Sequence, residues 1–355
     1  MLEALDIFDP SSYPTRRDED WKYSDLSRVL RAMPQKAKSS VADIEYGDEW
    51  TPEFPIYEVF DGDYLMHGGL QNVVAANEGA LWIRHYYSDE GDLVGFQGAD
   101  ELTLKTSENL ILFETHERNP TRSVSGHYAA NSNLIFKLAE NASLTRVIIL
   151  DEPADAISIH RSVVTTAPGS TFKQYVFSAG AKFQRFETHV EHAGHGASVE
   201  LHGAYLLKDK AHFDLTTRVN HAKPDGVTQQ LIKGLVKDQA TAVFQGRIKV
   251  ERGADGTDAH MRHQALMLND GAHVRAKPEL EIYTDDVQCA HGNTIGAMDE
   301  AALFFCQSRG MPEAVARQLL MQAFVTPVAE QIEDEDLRAT VLKFLAEKSE
   351  SFYAI

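Results

Sequence analysis

Cysteine is almost missing from this chain: two residues, Cys289 and Cys306, among 355. That excludes a disulfide framework, and the pair reads as free thiols of a reducing cytoplasm. Positive charge is also scarce, with 34 Lys and Arg against 53 Asp and Glu, a formal net charge of −19. The balance argues against a protein that tracks nucleic-acid phosphates, which needs basic patches. It argues equally against electrostatic docking on anionic lipid. It favours solubility and suits a basic or cationic partner. No apolar run approaches the roughly 20 residues of a membrane span. The start, Met1-Leu-Glu-Ala-Leu-Asp-Ile7, has no basic region leading into an apolar one, so no secretory signal is expected. No Gly-x-x-x-x-Gly-Lys-Ser/Thr loop is present, so the chain is not expected to hydrolyse ATP itself. A Gly-x-Ser-x-Gly elbow and a dinucleotide-binding glycine pattern are missing as well.

What the chain does have is a rhythm. Residues 1 to about 40 read as a helical or irregular segment, with Trp21, Tyr23, Leu26, Val29 and Leu30 as a loose apolar stripe that Met33-Pro34 ends. Trp21-Lys-Tyr23 reads as packing for that segment rather than as a recognition patch. Ser39 to Gly98 mixes short apolar pieces such as Ile56–Phe60 with Gly and Asn turns. From about Leu134, short alternating runs follow one another: 145–150, 172–177, 199–203, 213–219, 231–236 and 243–250. Turn-like pairs separate them, among them Pro168-Gly169, Asp209-Lys210, Asp225-Gly226 and Lys237-Asp238. Small residues recur at Ala197, Ala211, Gly226 and Ala240, spacings of 14 to 15 positions. That is too short for a strand–helix–strand unit. It fits strands stacked as successive sides of a β-helix, and it also fits an antiparallel sandwich or barrel.

The C-terminus changes character. Asp299 is placed to cap a helix running through Ser308, with Arg309 in its last turn and Gly310 as a left-handed stop. Pro312 suits a first helical position. Val315, Leu319, Leu320, Ala323, Phe324 and Val328 then recur with helical period, until Pro327 kinks or ends the helix. In a third helix Leu337, Val341, Leu342 and Leu345 share a face, with Asp334 to Asp336 at its start. Such helices must cover something: the end of a β-helix, or a partner.

The richest segment is Cys289-Ala-His-Gly-Asn-Thr-Ile-Gly296. It joins a thiol and an imidazole to a glycine-punctuated turn, after a stretch from Pro278 to Gln288 that reads as one strand. If Cys289 and His291 extend that strand, they share a face. Two such ligands suit iron, zinc, copper or an iron–sulfur fragment, but a full site needs more donors from elsewhere. The bland reading makes Cys289 a small buried hydrophobe at a sheet end. A second group, His189, His192, His195 and His202 with Glu187, Glu191 and Glu200 interleaved, reads as solvent-facing polar residues of alternating strands. His260 and His263 are read the same way. Cys306, within Leu303-Phe-Phe-Cys-Gln307, reads as a buried inert thiol.

Cys289 to Gly310 resembles the C-terminal signature of the SufB/SufD family of iron–sulfur cluster assembly scaffolds. Arg17 to Leu26 resembles the family's N-terminal Glu-x-Trp-Lys-Tyr-Thr motif. Gly246 to Val250, Leu266 to Asp270 and Pro278 to Val287 resemble its closing strands. The match is dense from about Lys210 to Ala329 and sparse between Ser27 and Ala130. His291-Gly292 and the modest length favour the SufD branch.

The resemblance implies a mainly β fold, a right-handed parallel β-helix core over 41–296 between helical segments at 1–40 and 297–355. It implies a non-catalytic cytoplasmic subunit that pairs with SufB through its last strands. The ATPase SufC would dock on the C-terminal helices, with Val315, Leu319 and Phe324 as candidates. It implicates His291 at the junction, with Cys289 beside it. No cofactor is expected to stay bound, but iron or an iron–sulfur cluster would pass transiently through a site that His291 shares with the partner. Self-association through the same edge, or a SufB-type role, remains open. So does a β-helix carbohydrate-active enzyme using Glu279, Glu281 or Asp285-Asp286.

Overall fold

In the computed structural model, residues 5–36, 56–60, 79–87, 93–118 and 128–352 are described. Much of the mixed stretch between Ser39 and Gly98, and the first four residues, lie outside them. Seventeen strands follow one another: β1 Gln35–Lys36, β2 Ile56–Phe60, β3 Ala80–Tyr87, β4 Val94–Leu104, β5 Asn109–Arg118, β6 Tyr128–Leu138, β7 Ser143–Asp151, β8 Ile157–Thr166 and β9 Thr171–Ser178, then β10 Phe183–His192, β11 Ser198–Leu207, β12 His212–His221, β13 Val227–Val236, β14 Thr241–Val250, β15 Thr257–Met267, β16 His273–Ile282 and β17 Val287–Gly296. All pair in parallel. The even-numbered strands from β4, with β1, build one sheet; the odd-numbered strands from β3, with β2, build the other.

This is a β-solenoid, one of the two folds that the 14- to 15-residue rhythm allowed. The chain alternates between the sheets, so a full coil takes two periods: Gln184 pairs with Phe213 and Phe213 with Ala242, 29 residues apart each time. The corners fall where the turn pairs stand. Asp209, Asp225 and Asp238 hold φ near +60°, as does Gly169, a region that short polar side chains and glycine tolerate best. The corners are linked from coil to coil: the Asp238 amide donates to the Asn269 side chain at 2.6 Å.

Alternation along each strand separates two apolar layers. Inside, Leu144, Ile148, Phe172, Val176, Leu201, Leu215 and Phe244 pack into one continuous core. Outside, Val147, Ile149, Tyr175, Phe177, Leu206 and Leu235 of the odd-strand sheet meet the C-terminal helices. These are α2 Glu300–Ser308, α3 Glu313–Ala329 and α4 Glu335–Glu350. Met321, Val325, Val328, Val341, Phe344 and Leu345 supply their side of the layer. The helices therefore cover a flank of the solenoid and not its end. The N-terminal segment covers the opposite flank, with Ile7, Tyr13, Leu26 and Leu30 against Ile157, Ile159 and Phe183 of the even-strand sheet. Among the described residues of that segment only Leu26–Val29 is α-helical, the short helix α1. Trp21 takes the packing role expected of it, under the Arg185 guanidinium at 4.1 Å.

The caps match their sequence signals. The Asp299 carboxylate accepts from the amides of Ala301 and Ala302, and that of Asp334 accepts from Leu337. Gly310 has φ +87°. Pro312 sits one position before α3 rather than inside it, and Pro327 lies within the last turn, with the helix ending two residues later. Cys306 is half-buried rather than buried, because Phe304 and Phe305 beside it point outward at 71% and 55% exposure.

Candidate functional site

The solenoid ends openly. β16 and β17 are the terminal strands of their sheets, each with one unpaired edge among the described residues. The stretch Pro278 to Gln288, read as one strand, is two: Tyr283–Asp286 forms the corner that carries the chain from one sheet to the other. A coil needs such a corner after every strand of about ten residues. Nor does Gly292 make a turn. It lies inside β17, paired with Arg262.

β17 sets the geometry of Cys289 and His291. Cys289 pairs with Ala259 and packs against the interior core. Two residues on, His291 lies on the same, inward side, yet it is exposed, because no further coil closes over it. Asn293 repeats that side, and its Oδ1 accepts from Nδ1 of the buried His263 at 2.7 Å, while Nε2 of His263 meets the Tyr205 hydroxyl at 2.8 Å. A hydrogen-bonded path thus runs from the deep interior to the open end. Burial pushes the Cys289 thiol above its ordinary pKa, so in the chain alone it is a poor thiolate donor. His291 offers the accessible ligand atom. Two donors do not complete a metal site.

Exposed apolar groups gather in the same region. Ile282, Tyr283 and Ile295 lie at the open end, and Phe304, Phe305, Val315 and Leu319 lie on α2 and α3, which pack together. Val315 and Leu319 fall off the buried face of α3, which is carried by Ala316, Met321, Val325 and Val328. Phe324 does not join them. It packs against the helix–sheet layer with the Lys233 ammonium 4.5 Å from its ring.

Two of the carboxylates singled out for glycoside chemistry are held in ion pairs. Glu279 pairs with Arg247 at 3.0 Å and Lys277 at 3.2 Å, and Glu281 with Arg247 at 3.5 Å, along adjacent strands. Asp285 and Asp286 lie at the corner.

The histidine reading needs the largest correction. His192 and His263 are fully buried and His202 nearly so. His192 stacks on His221 at 4.2 Å, and both share the Thr228 hydroxyl. Of the histidines named in that reading, His195 and His260 form surface ion pairs with Asp225 and Asp258, while His189 is half-buried beside Glu187 at 3.3 Å. A strand covered on both faces buries polar and apolar positions alike.

The interior also holds a cluster that no sequence motif marks. Glu114 of β5 and Arg146 of β7 form a two-pronged ion pair at 2.6 and 2.8 Å. Burial raises the Glu114 carboxyl, but Arg146 outweighs it and holds the group well below the usual carboxylate range. Ser162 and Gln174 accept from Nη1 of the guanidinium at 2.5 and 3.1 Å. Alternation from Leu110 and Leu112 to Glu114 and His116 is the one signal that could have placed these residues inside.

Comparison with known proteins agrees with the geometry. Residues 101–324 match the family described as SUF system FeS cluster assembly, SufBD core domain. The iron-sulfur cluster assembly protein SufD of Escherichia coli (strain K12) is 30% identical over 212 residues, 59% of this chain and 50% of that protein. Protein ABCI7, chloroplastic, of Arabidopsis thaliana is 27% identical over 268 residues, 74% of this chain and 56% of that one. The iron-sulfur cluster assembly protein SufD of Plasmodium falciparum (isolate 3D7) is 28% identical over 255 residues, 70% of this chain and 17% of that one. The chain thus spans about half the length, or less, of these relatives. No helix among the described residues is long and apolar enough to cross a membrane.

Proposed function

We propose, from the premise that this chain belongs to the SufBD core family of SUF-system iron–sulfur cluster assembly proteins, that it is a non-catalytic scaffold subunit of the SufD type. It pairs with a SufB-type partner through the open coil and with the ATPase SufC through α2 and α3. The observation that carries this reading is the uncovered last coil. Two long parallel edge strands, a half-covered core and three exposed apolar side chains end the solenoid. An unprotected edge of that length is a template for another strand, and proteins blunt such edges unless they use them. A partner coil that continues the stack would cover His291 and bring its own donors to it. Imidazole is neutral in its majority form near pH 7 and is a competent ligand for iron. Iron or a cluster would then be cargo of the junction, held in passing by His291 and partner groups, with Cys289 beside it.

The test is co-purification with SufB and SufC, followed by iron and acid-labile sulfide analysis of the complex. His291→Ala should leave thermal unfolding within about 0.5 kcal/mol of the parent, as for other exposed positions, and leave the complex assembled, while cluster content falls. Normal cluster content in that variant removes His291 from the junction chemistry. Failure of the chain to capture SufB removes the scaffold reading itself.

The helical surface gives a separate expectation. Leu319, 46% exposed, contributes little to the internal layer, so Leu319→Asp should leave the melting temperature unchanged. It should weaken SufC capture, because an interface would bury an unpaired carboxylate. Phe324→Asp is expected to lower the melting temperature instead, since Phe324 packs internally. Unaltered SufC capture by Leu319→Asp would move the docking site off α3.

A further inference from the structure

Three imidazoles and one carboxylate converge inside the solenoid, far from the open end in sequence. His85 of β3 and His116 of β5 are cross-strand partners, and their rings stack at 4.1 Å with planes 6° apart. Both Nε2 atoms lie 3.9 Å from the same Glu114 oxygen, Oε2. One donor atom from each of the three residues lies within 4.8 Å of the other two, and all three residues are buried. His160 of β8 approaches from the other sheet, its ring 4.3 Å from that of His116. The Ser132 hydroxyl holds its Nδ1 at 2.8 Å, while its Nε2 is buried without a hydrogen-bond partner. A buried polar atom left without a partner is costly, and most such atoms in native proteins have one.

We propose that His85, Glu114 and His116, with His160 as a fourth donor, form a site for one first-row divalent cation inside the solenoid. The donor set is what such ions take. Imidazole suits zinc, iron, cobalt and nickel, and two histidines with one carboxylate, or three histidines, recur in their sites. Ordinary metal–nitrogen and metal–oxygen bonds of about 2.0–2.2 Å require the 3.9 Å separations to close by roughly half an ångström, the stacked His85 and His116 rings to tilt until both in-plane lone pairs meet at the ion, and Nε2 of His160 to turn toward the pair. Arg146 is the orienting group. It grips both Glu114 oxygens from one side, and Ser162 and Gln174 hold it there. One lone pair of Oε2 then remains for the ion on the side of the rings. Because Arg146 offsets the Glu114 charge, binding rests on the neutral imidazoles, as in three-histidine zinc sites. Deep burial also sets the kinetics: the ion loads during folding or on slow local opening of the β2–β3 end, since β3 is one strand from the edge of its sheet.

The experiment uses the full chain, refolded or expressed with Co2+ or Zn2+ alone as the probe. It is done in a Cys289→Ser/His291→Ala background, so that the open end does not contribute. One tightly held Co2+ per chain is expected. Its d–d absorption should have the strength of a four- or five-coordinate ion and lack any thiolate-to-cobalt charge-transfer band. His116→Asn and His160→Gln should each lose the stoichiometric site. Circular dichroism and metal-free melting of these variants separate lost ligation from lost folding. No retained Co2+ or Zn2+ in a folded parent chain overturns the proposal. So does a stoichiometric ion that survives both substitutions. None of these outcomes bears on capture of SufB, which the open coil governs.

Discussion

Arg146→Ala is expected to be the most damaging single substitution in the solenoid, costing about 3–5 kcal/mol, the usual result of removing one partner from a buried ion pair. Arg146 is 2% exposed and Glu114 1%. The guanidinium satisfies both Glu114 oxygens, Ser162 and Gln174, and stacks 4.9 Å from the Phe136 ring centre. Alanine would leave the Glu114 charge in an apolar core, together with a cavity the size of the lost side chain. A domain with about 5–15 kcal/mol of total stability would lose a large share of it. Chemical denaturation measures the loss. The control is the pair Glu114→Met and Arg146→Met, which should recover much of it, because a well-packed apolar pair often equals a buried ion pair. A loss below about 1 kcal/mol in Arg146→Ala would show that water or a neighbouring group reaches Glu114 in the folded chain.

Acid lability well above the carboxylate range is the second large effect. Burial depresses the imidazole of His192 to about 3 and that of His221 to about 4. Burial likewise depresses His263 to about 4, against the opposing hydrogen bond to Asn293. Each folded-state value lies below the unfolded value of about 6.5, so the unfolded chain binds protons first. This contribution is fully present above pH 6.5 and drains as pH falls toward 4 and then 3. Each group adds up to about 1.4 kcal/mol per pH unit. Together the three should remove roughly 3 kcal/mol of unfolding free energy between pH 6.5 and 5.5. His85 and His160, depressed chiefly by burial, act in the same direction. Urea midpoints across this window measure the slope, and His221→Gln should reduce it. A flat profile between pH 7 and 5.5 would contradict the burial of these rings.

The histidines show where reading the chain stops working. In a sheet with one wet face, alternation separates inside from outside. Here the core, the three C-terminal helices and the N-terminal segment cover both faces. His192 and His195 look alike in sequence, yet one is fully buried and the other paired with Asp225 at the surface. Conversely, the apolar stripe of α3 joined Val315 and Leu319 to Phe324, which the packing divides between solvent and the helix–sheet layer. Helical periods say which residues share a side, not which side meets a neighbour.

The 14- to 15-residue rhythm, the Asp and Gly corners, the helix caps and the Cys289–Gly310 signature were all legible because each is local. Backbone strain, capping and alternation act within a few residues. The rhythm alone allowed two architectures, and parallel pairing across 29 residues chose between them. That pairing also decided which strand comes last, so that His291 stands uncovered, and which inward positions stack, so that Glu114 meets Arg146 and His85 meets His116. These contacts join residues about one coil apart in sequence, and only the register of stacked coils brings them within hydrogen-bonding distance.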